Sequence, residues 1–389
     1  MSLQKHERTS EHVSQGHPDK FCDKVADWIL DEALDAGAAL SVDERDPNHP
    51  RHQRTAIEIL AKDRLVMLSG EVKFGPRVAE RLDIRRIVET AWERVGYPDG
   101  SAITVLNHLQ QQSPEIGRAV TRGDGERASE GAGDQGIMVG YATNETKTMM
   151  PLEYELARSL CREIEALWTG GVVKGLRADA KTQVTIDGKG RPKRIVIAVQ
   201  HAPGMDQGML KAELLQHAFG KVFEDNIDPA IVTVNGTKSF EVGGTIGDAG
   251  VVGRKIVVDA YGPSIPVGGG AYSGKDPTKV DRSAAYMARH MAKTAVSMGI
   301  RGAKSCTVHI AYCIGKTAPE MVTAVTDAGV DITDWVSARF RDLSPRAVIE
   351  HLDLLRMRNG LGWRYRDAAA FGHYGRPEFP WEQIGNVSD

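Results

Sequence analysis

Cysteine is scarce in this chain: four among 389 residues, at positions 22, 161, 306 and 313. That spacing offers neither a C-x-x-C pair nor the density of a disulfide-stapled scaffold. The thiols therefore read as small buried side chains in a reducing compartment, and a cytoplasmic protein is expected. Net charge is scarce as well, since 49 Lys and Arg against 52 Asp and Glu leave a formal −3 with both signs interspersed. No basic stripe remains for a nucleic acid and no polybasic patch for a membrane surface. No apolar run reaches the roughly eighteen residues of a membrane span, and the opening MSLQKHERTSEH lacks the apolar core of a secretion signal. A soluble protein without a charged polymer partner is the expectation.

Apolar residues make up 41% of the chain and glycine supplies 41 positions. A chain of this length exceeds what one core usually organises, so two or three domains are expected. Cys22, Val25, Ala26, Ile29, Ala33 and Leu34 recur at helical spacing and predict a helix from Pro18 to Gly37. TAIEIL and RLVMLSGEV, joined by AKD, alternate as a β-hairpin does, and a helical pattern follows from about 82 to 95. The same rhythm returns as KTQVTID, RIVIAVQ and a helix over 207–224. It returns again, more loosely, as a strand KIVVDAY, a helix over 277–298 and a strand CTVHIAYCIG. A threefold internal repeat is the reading. Residues 43–53 and 117–133 are polar, rich in Pro or Gly, and read as loops.

The stretch GGGAYSGKDPTKVDRSAAY, residues 268–286, carries four glycines, two lysines and two aspartates. Gly269, Gly274 and Lys275 nearly complete the phosphate-cradling G-x-x-x-x-G-K-[ST] pattern, but Asp276 stands where the Mg2+-binding hydroxyl belongs. With Asp276 as N-cap and Pro277 as the first helical residue, the free N–H groups of the following helix would attract an anion. Lys275 and Lys279 oppose that helix's dipole at a cost of roughly a few tenths of a kcal/mol, which an anionic ligand would reverse.

In GHPDK, His17 and Asp19 stand at the mouth of the first helix. Pro18 and an acid in the first turn suit a capped helix in any case. The chemical alternative has His17 donating to a phosphate and Asp19 ligating a hard cation. Asp248 in GDAG and the pair Arg254 and Lys255 in GRK flank a turn with more glycines than a structural turn needs, which favours ligand contact. Lys181 in DAKTQV would open a strand, where a solvated edge lysine is the plainer reading. Taken together, Lys181, Arg254, Lys255, Lys275 and Lys279, with His17, Asp19, Asp248 and Asp281, suit a polyphosphate with Mg2+. No nucleophile elbow, catalytic Cys/His signature or zinc spacing accompanies them. CIGKT at 313–317 reads as a turn.

GHPDK, GAGDQG, DAK, GRK and the GGGA-x-SGKDP-x-KVDRSAAY block, in that order from about Ser10 to Glu382, resemble the signature segments of the S-adenosylmethionine synthetases, or methionine adenosyltransferases. The resemblance implies an α/β (α+β) fold of three similar sheet-and-helix domains, 8–115, 129–244 and 245–382, about a pseudo-threefold axis. It implies homodimers that share their active sites between chains, with homotetramers as the next level. The activity implied is transfer of the adenosyl group of ATP to the sulfur of L-methionine, the displaced triphosphate being hydrolysed to phosphate and diphosphate, with two Mg2+ and one K+ per site.

By the same resemblance, His17, Lys181, Arg254 and Lys275 are the catalytic phosphate contacts. Asp179, Ser239, Phe240, Asp248, Lys255 and Ala271 complete the ATP site, with Phe240 packed on adenine. Glu71, Gln112, Asp248 and Lys279 hold methionine, and Asp134 lies on the nucleoside side. Asp19 and Asp281 ligate Mg2+ and Glu58 binds K+. Residues 112–133, with too little apolar surface to offset the entropy of ordering, are expected to form a mobile gate.

Gln15 stands where the family usually has a glutamate, which removes a negative charge near His17. NGTKSF at 235–240 loses a basic residue at Ser239, and the loop at 43–53 looks long. Two other readings compete: a phosphohydrolase without alkyl transfer, which has no use for Glu71 and Gln112, and a non-catalytic homologue, which would be expected to have lost charged site residues.

Overall fold

The computed structural model describes residues 6–98, 100–112, 121–122, 129–223, 226–356 and 362–384. In chain order the first unit is β1 (Arg8–Val13), α1 (Pro18–Leu40), β2 (Arg54–Lys62), β3 (Leu65–Lys73), α2 (Ile84–Arg94) and β4 (Thr104–Gln111). The second is β5 (Gly136–Thr143), α3 (Leu152–Thr169), β6 (Leu176–Ile186), β7 (Pro192–His201), α4 (Gln207–Leu214) and β8 (Val232–Val234). The third is β9 (Gly250–Val251), α5 (Val280–Ser297), β10 (Ser305–Tyr312), β11 (Met321–Thr326), α6 (Thr333–Arg339) and α7 (Pro345–His351).

Each unit thus begins with a strand and a helix, then a hairpin. The wiring exchanges the leading strands. β1 pairs with β6 of the second unit, β5 with β10 of the third, and β9 with β2 of the first, all antiparallel. The sheets run β9-β2-β3-β4, β1-β6-β7-β8 and β11-β10-β5. In the first two the return strand lies parallel to the second hairpin strand, β4 on β3 and β8 on β7. A parallel return needs a crossover, which α2 and α4 supply. The repeat read from the sequence is therefore closed into a ring, since every unit donates a strand to the next.

One face of each sheet is covered by helices. Phe21, Val25 and Ile29 of α1 pack with Ile57, Ile59, Val66, Leu68, Val88 and Trp92. Leu160 and Ile164 of α3 pack with Val184, Ile195, Ile197 and Leu210. Tyr286 and Met291 of α5 pack with Val308, Ile310, Trp363 and Trp381. Among the described residues no helix is long and apolar enough to cross a membrane.

Several local expectations are corrected. The stretch expected as the strand KIVVDAY is a short helical turn, Ile256–Asp259. Its β-rich composition is overridden by tertiary contacts: Tyr154 donates to the Val258 carbonyl at 2.7 Å, the His373 amide to the Asp259 carbonyl at 2.9 Å, and the Asp259 carboxylate meets buried Lys20. The helix expected from 277 begins at Val280, and Asp276 is not its N-cap. Asp276 spends one oxygen on the Thr278 amide and hydroxyl, at 3.0 and 2.6 Å, and the other on the Thr55 amide at 2.9 Å. Lys181 lies in the middle of β6, not at its start. The helix expected over 207–224 widens to a π turn at Leu215–Phe219. The 43–53 loop docks on the third unit, Glu44 reaching Arg346 at 3.4 Å.

Candidate active site

The site is assembled at the N-terminus of α1. His17 is the N-cap, its Nδ1 accepting from the Asp19 amide at 3.2 Å. Burial, then the charges of Lys255, Lys181 and Lys20, push the imidazole down to about 4 against the opposing pull of Asp19. At neutral pH it is uncharged, and with Nδ1 accepting, the proton sits on Nε2, which can donate to an anion. Asp19 is buried, and its oxygens take the Val251 amide at 2.9 Å, Lys255 at 2.5 Å and Arg254 at 3.4 Å. Burial alone would raise its pKa, but the Lys255 hydrogen bond, the Val251 amide and the nearby positive charge hold it below the usual carboxylate range.

Asp179 sits beside this group, its carboxylate accepting from the Gly244 amide at 2.8 Å. Burial raises it to about 6, with Asp248 and Asp19 adding to the push and the Gly244 amide and Lys255 opposing it. Asp248 itself is exposed and caps the Ala249 amide at 2.7 Å. Lys181 pairs with Glu11 across β1 and β6 at 2.6 Å.

A second group gathers around the glycine-rich block. The Gly274 carbonyl accepts from Ile57 N at 3.0 Å and the Asp276 amide donates to Thr55 O at 3.1 Å, so the segment extends the edge of β2 beyond β9. Gly274 takes φ +84, and a Cβ there would lie 2.3 Å from the Ile57 carbonyl, so this approach needs glycine. Lys275 meets Asp281 at 2.5 Å. Glu58 of β2 faces the same region: burial raises its pKa, Lys275 lowers it, and Asp23 and Glu71 raise it further. Glu71 stands opposite Gln110 in the β3–β4 register, and the Gln112 amide donates to Val72 O at 3.0 Å. The two groups touch at Ala271, whose methyl lies under Gly253.

Other expected site residues stand apart. Lys279 is held by buried Asp276 at 2.6 Å. Phe240 is fastened to His201, exchanging bonds of 3.0 Å through both its amide and its carbonyl. Ser239 is exposed, and Asp134 caps the Gln135 amide at 2.8 Å. Among the described residues Asp134, Ser239 and Phe240 make no hydrogen bond or ion pair with either group, whereas Lys279 meets the second group through Asp276. The expected gate over 112–133 lies for the most part outside the described residues. Gln15, the departure expected to remove a negative charge near His17, donates to Glu165 at 2.6 Å and accepts from Lys24.

Sequence reasoning missed Glu11, Asp23, Asp27 and Arg282. The signal was present in the aspartates at 19, 23, 27, 31 and 35, one every fourth residue of α1. Among the described residues no three His, Cys, Asp or Glu side chains converge to hold a metal ion. Asp19 and Asp281 nevertheless offer the hard oxygen donors that Mg2+ prefers, each already beside a lysine.

Three α/β units wired in a ring carry lysine–aspartate pairs at the mouth of α1 and at the glycine-rich block. The chain matches the S-adenosylmethionine synthetase N-terminal domain over residues 5–114, the central domain over 129–240 and the C-terminal domain over 242–383. It is 41% identical over 399 residues to the S-adenosylmethionine synthase of Brachyspira hyodysenteriae, covering 96% of this chain and 95% of that one. It is 39% identical over 410 residues to that of Deinococcus radiodurans, covering 96% and 94%, and 40% identical over 417 residues to that of Desulforudis audaxviator, covering 100% and 98%. The chain belongs to the S-adenosylmethionine synthetase family. Its reaction is the family's: ATP, L-methionine and water give S-adenosylmethionine, phosphate and diphosphate. The family uses metal ions.

Proposed function

We propose that the two groups described above bind the triphosphate of ATP, and that alignment and charge stabilisation are the whole of catalysis in the transfer step. The methionine thioether has no proton to lose, so attack of sulfur on C5′ needs no general base. The departing triphosphate gathers negative charge, and preorganised cations are what its leaving requires. His17 donates through Nε2, while Lys181, Arg254, Lys255 and Lys275 supply fixed positive charge, joined on the ATP side by Asp179, Ser239, Phe240, Asp248 and Ala271. Glu71, Gln112, Asp248 and Lys279 hold methionine, with Asp134 on the nucleoside side. The observation that carries this reading is the pairing of Asp19 with Lys255 and of Asp281 with Lys275, each at 2.5 Å. Each lysine rests on a carboxylate that a hard cation can take over, freeing the ammonium for a phosphate oxygen.

Asp19 and Asp281 are the residues to hold two Mg2+, completed by phosphate and water oxygens, and Glu58 is the residue to hold one K+. Bound there, the divalent ions would neutralise charge on the polyphosphate. Asp23 and Glu71 add negative potential around Glu58, and Lys275 opposes it.

The assembly we propose is a homodimer that shares its active sites, and from it a tetramer, in the cytoplasm, with each chain divided into domains at 8–115, 129–244 and 245–382. Leu60, Met67 and Leu106, matched across β2, β3 and β4, are 41%, 37% and 50% exposed on the sheet face away from the helix-packed core. Exposed apolar rows of this kind mark interaction surfaces, and Glu58 and Glu71 lie on the same face.

The test incubates the protein with ATP, methionine, Mg2+ and K+ and reads products by mass spectrometry. S-adenosylmethionine with phosphate and diphosphate is expected from the unaltered protein, and Lys275→Ala should lower kcat roughly a hundredfold. A folded Lys275→Ala with more than about half the activity would overturn the phosphate assignment.

A further inference from the structure

The aspartates of α1 at 19, 23, 27 and 31 are buried, and at one every fourth residue they form a line along the helix. Each takes backbone amides from the C-terminal part of the chain. Asp19 accepts from Val251 at 2.9 Å, Asp23 from Gly253 at 2.8 Å and Asp27 from Gly274 at 2.9 Å. Asp31 accepts from Tyr365 at 2.9 Å and Arg366 at 3.0 Å. Each also faces a cation: Lys255, Lys20, Arg282 and Arg356 in turn.

The amides caught by Asp23 and Asp27 belong to the residues immediately ahead of Arg254 and Lys275. Arg282 closes the second grip. It donates to Asp27 at 2.6 Å and to the Lys275 carbonyl at 2.8 Å, so one buried pair holds the 273–274 and 275–276 peptide units, which bracket Gly274 and Lys275. Apolar packing alone could have docked these segments on α1. Buried carboxylates cost desolvation, and what they add is direction and a fixed spacing.

We propose that Asp23 and Asp27 are positioning residues for adenosyl transfer, the aspartate line setting the distance between the Arg254–Lys255 turn and Lys275 so that both meet the same departing polyphosphate. This rests on the reading of those cations as phosphate contacts. A cationic site misplaced by about 1 Å loses on the order of a hundredfold in rate, which gives the backbone grip its leverage.

Asp27→Asn keeps an acceptor for the Gly274 amide but removes the charge that Arg282 pairs with, and Asp23→Asn keeps one for Gly253 while leaving Lys20 to Asp259 alone. Each should lower kcat by about tenfold or more, within that hundredfold bound, and leave KM for methionine near its original value. The control is Asp31→Asn, the next position in the line. It fastens Tyr365 and Arg366, which belong to neither group of site residues, so its Tm should fall while kcat stays. Because Asp27→Asn strands a buried arginine, Asp27→Asn with Arg282→Gln is measured beside it as a neutral replacement of the pair. If the folded variants keep kcat within about twofold, or if Asp31→Asn loses as much kcat as they do, the line is a fastening only and the proposal falls. Lys275→Ala separates the two claims. Should it remain active, the phosphate reading has failed; should it be inactive while the Asp23 and Asp27 variants are active, only the positioning role has.

Discussion

A β-carbon placed on Gly270 would lie 2.1 Å from Cγ of Asp281. The atoms it would strike are the end of a side chain, so the protein can make room by turning the carboxylate aside. The backbone at Gly270 does not lie in the left-handed region, so alanine is not strained there. Gly270→Ala should therefore fold with a near-normal Tm while displacing Asp281 from Lys275. We expect kcat to fall by about tenfold or more with an increased Mg2+ requirement. Unchanged kcat and an unchanged Mg2+ titration would remove Asp281 from the site.

The two aspartates proposed for the metal can be tested directly. In Asp19→Asn and Asp281→Asn an amide replaces the anionic oxygen that a hard cation prefers. The Mg2+ concentration for half-maximal activity should rise in both variants, with partial recovery at high Mg2+. Titrations that overlay the unaltered protein would place the metal elsewhere.

His17 gives the chain an acid sensitivity whose sign follows from its environment. Its folded-state pKa, about 4, lies below the 6.5 of an unperturbed imidazole. The unfolded chain therefore binds the proton more readily, and the stability this group contributes is complete above about pH 6.5 and is lost as pH falls toward 4. Between pH 7 and pH 5 the expected loss is about 2 kcal/mol from this one group. His290, pushed down to about 4 chiefly by burial, adds a loss in the same window. Urea unfolding at the two pH values should show His17→Gln losing less stability on acidification than the unaltered protein. Equal losses would mean the imidazole is not held neutral.

The row formed by Leu60, Met67 and Leu106 predicts the assembly. Leu60→Glu with Leu106→Glu places two charges on the open sheet face without touching the helix-covered core. Light scattering should show a dimer for the unaltered protein and a monomer for the variant, and activity should fall with it because the proposed shared site would lose the second chain's share. An active monomer would show that one chain suffices.

Much of the secondary structure was legible. TAIEIL and RLVMLSGEV alternate because β2 and β3 bury one face and expose the other, and that pattern survives in any context. The helix expected from Pro18 to Gly37 by its apolar spacing and by proline at its first position is observed over Pro18–Leu40. IVVDAY was misread because local β preference was weighed without the partners that capture its carbonyls. The exchange of β1, β5 and β9 among the units could not be read either, since a short strand carries no mark of which sheet it will join.

The sequence by itself determined the repeat and the family and supplied the cations and acids proposed for a polyphosphate, because these are written in local periodicity and in contiguous motifs. It also spelled out the aspartates of α1 at every fourth position, without saying what they hold. Tertiary structure alone decided that Lys181 is paired with Glu11, that Asp276 turns back to β2 before the helix begins, and that Asp23 and Asp27 grip the segments carrying Arg254 and Lys275. Each of these joins residues far apart in the chain. A buried carboxylate's partner is chosen by which amide and which cation the closed fold brings within about 3 Å, and no local pattern encodes that distance.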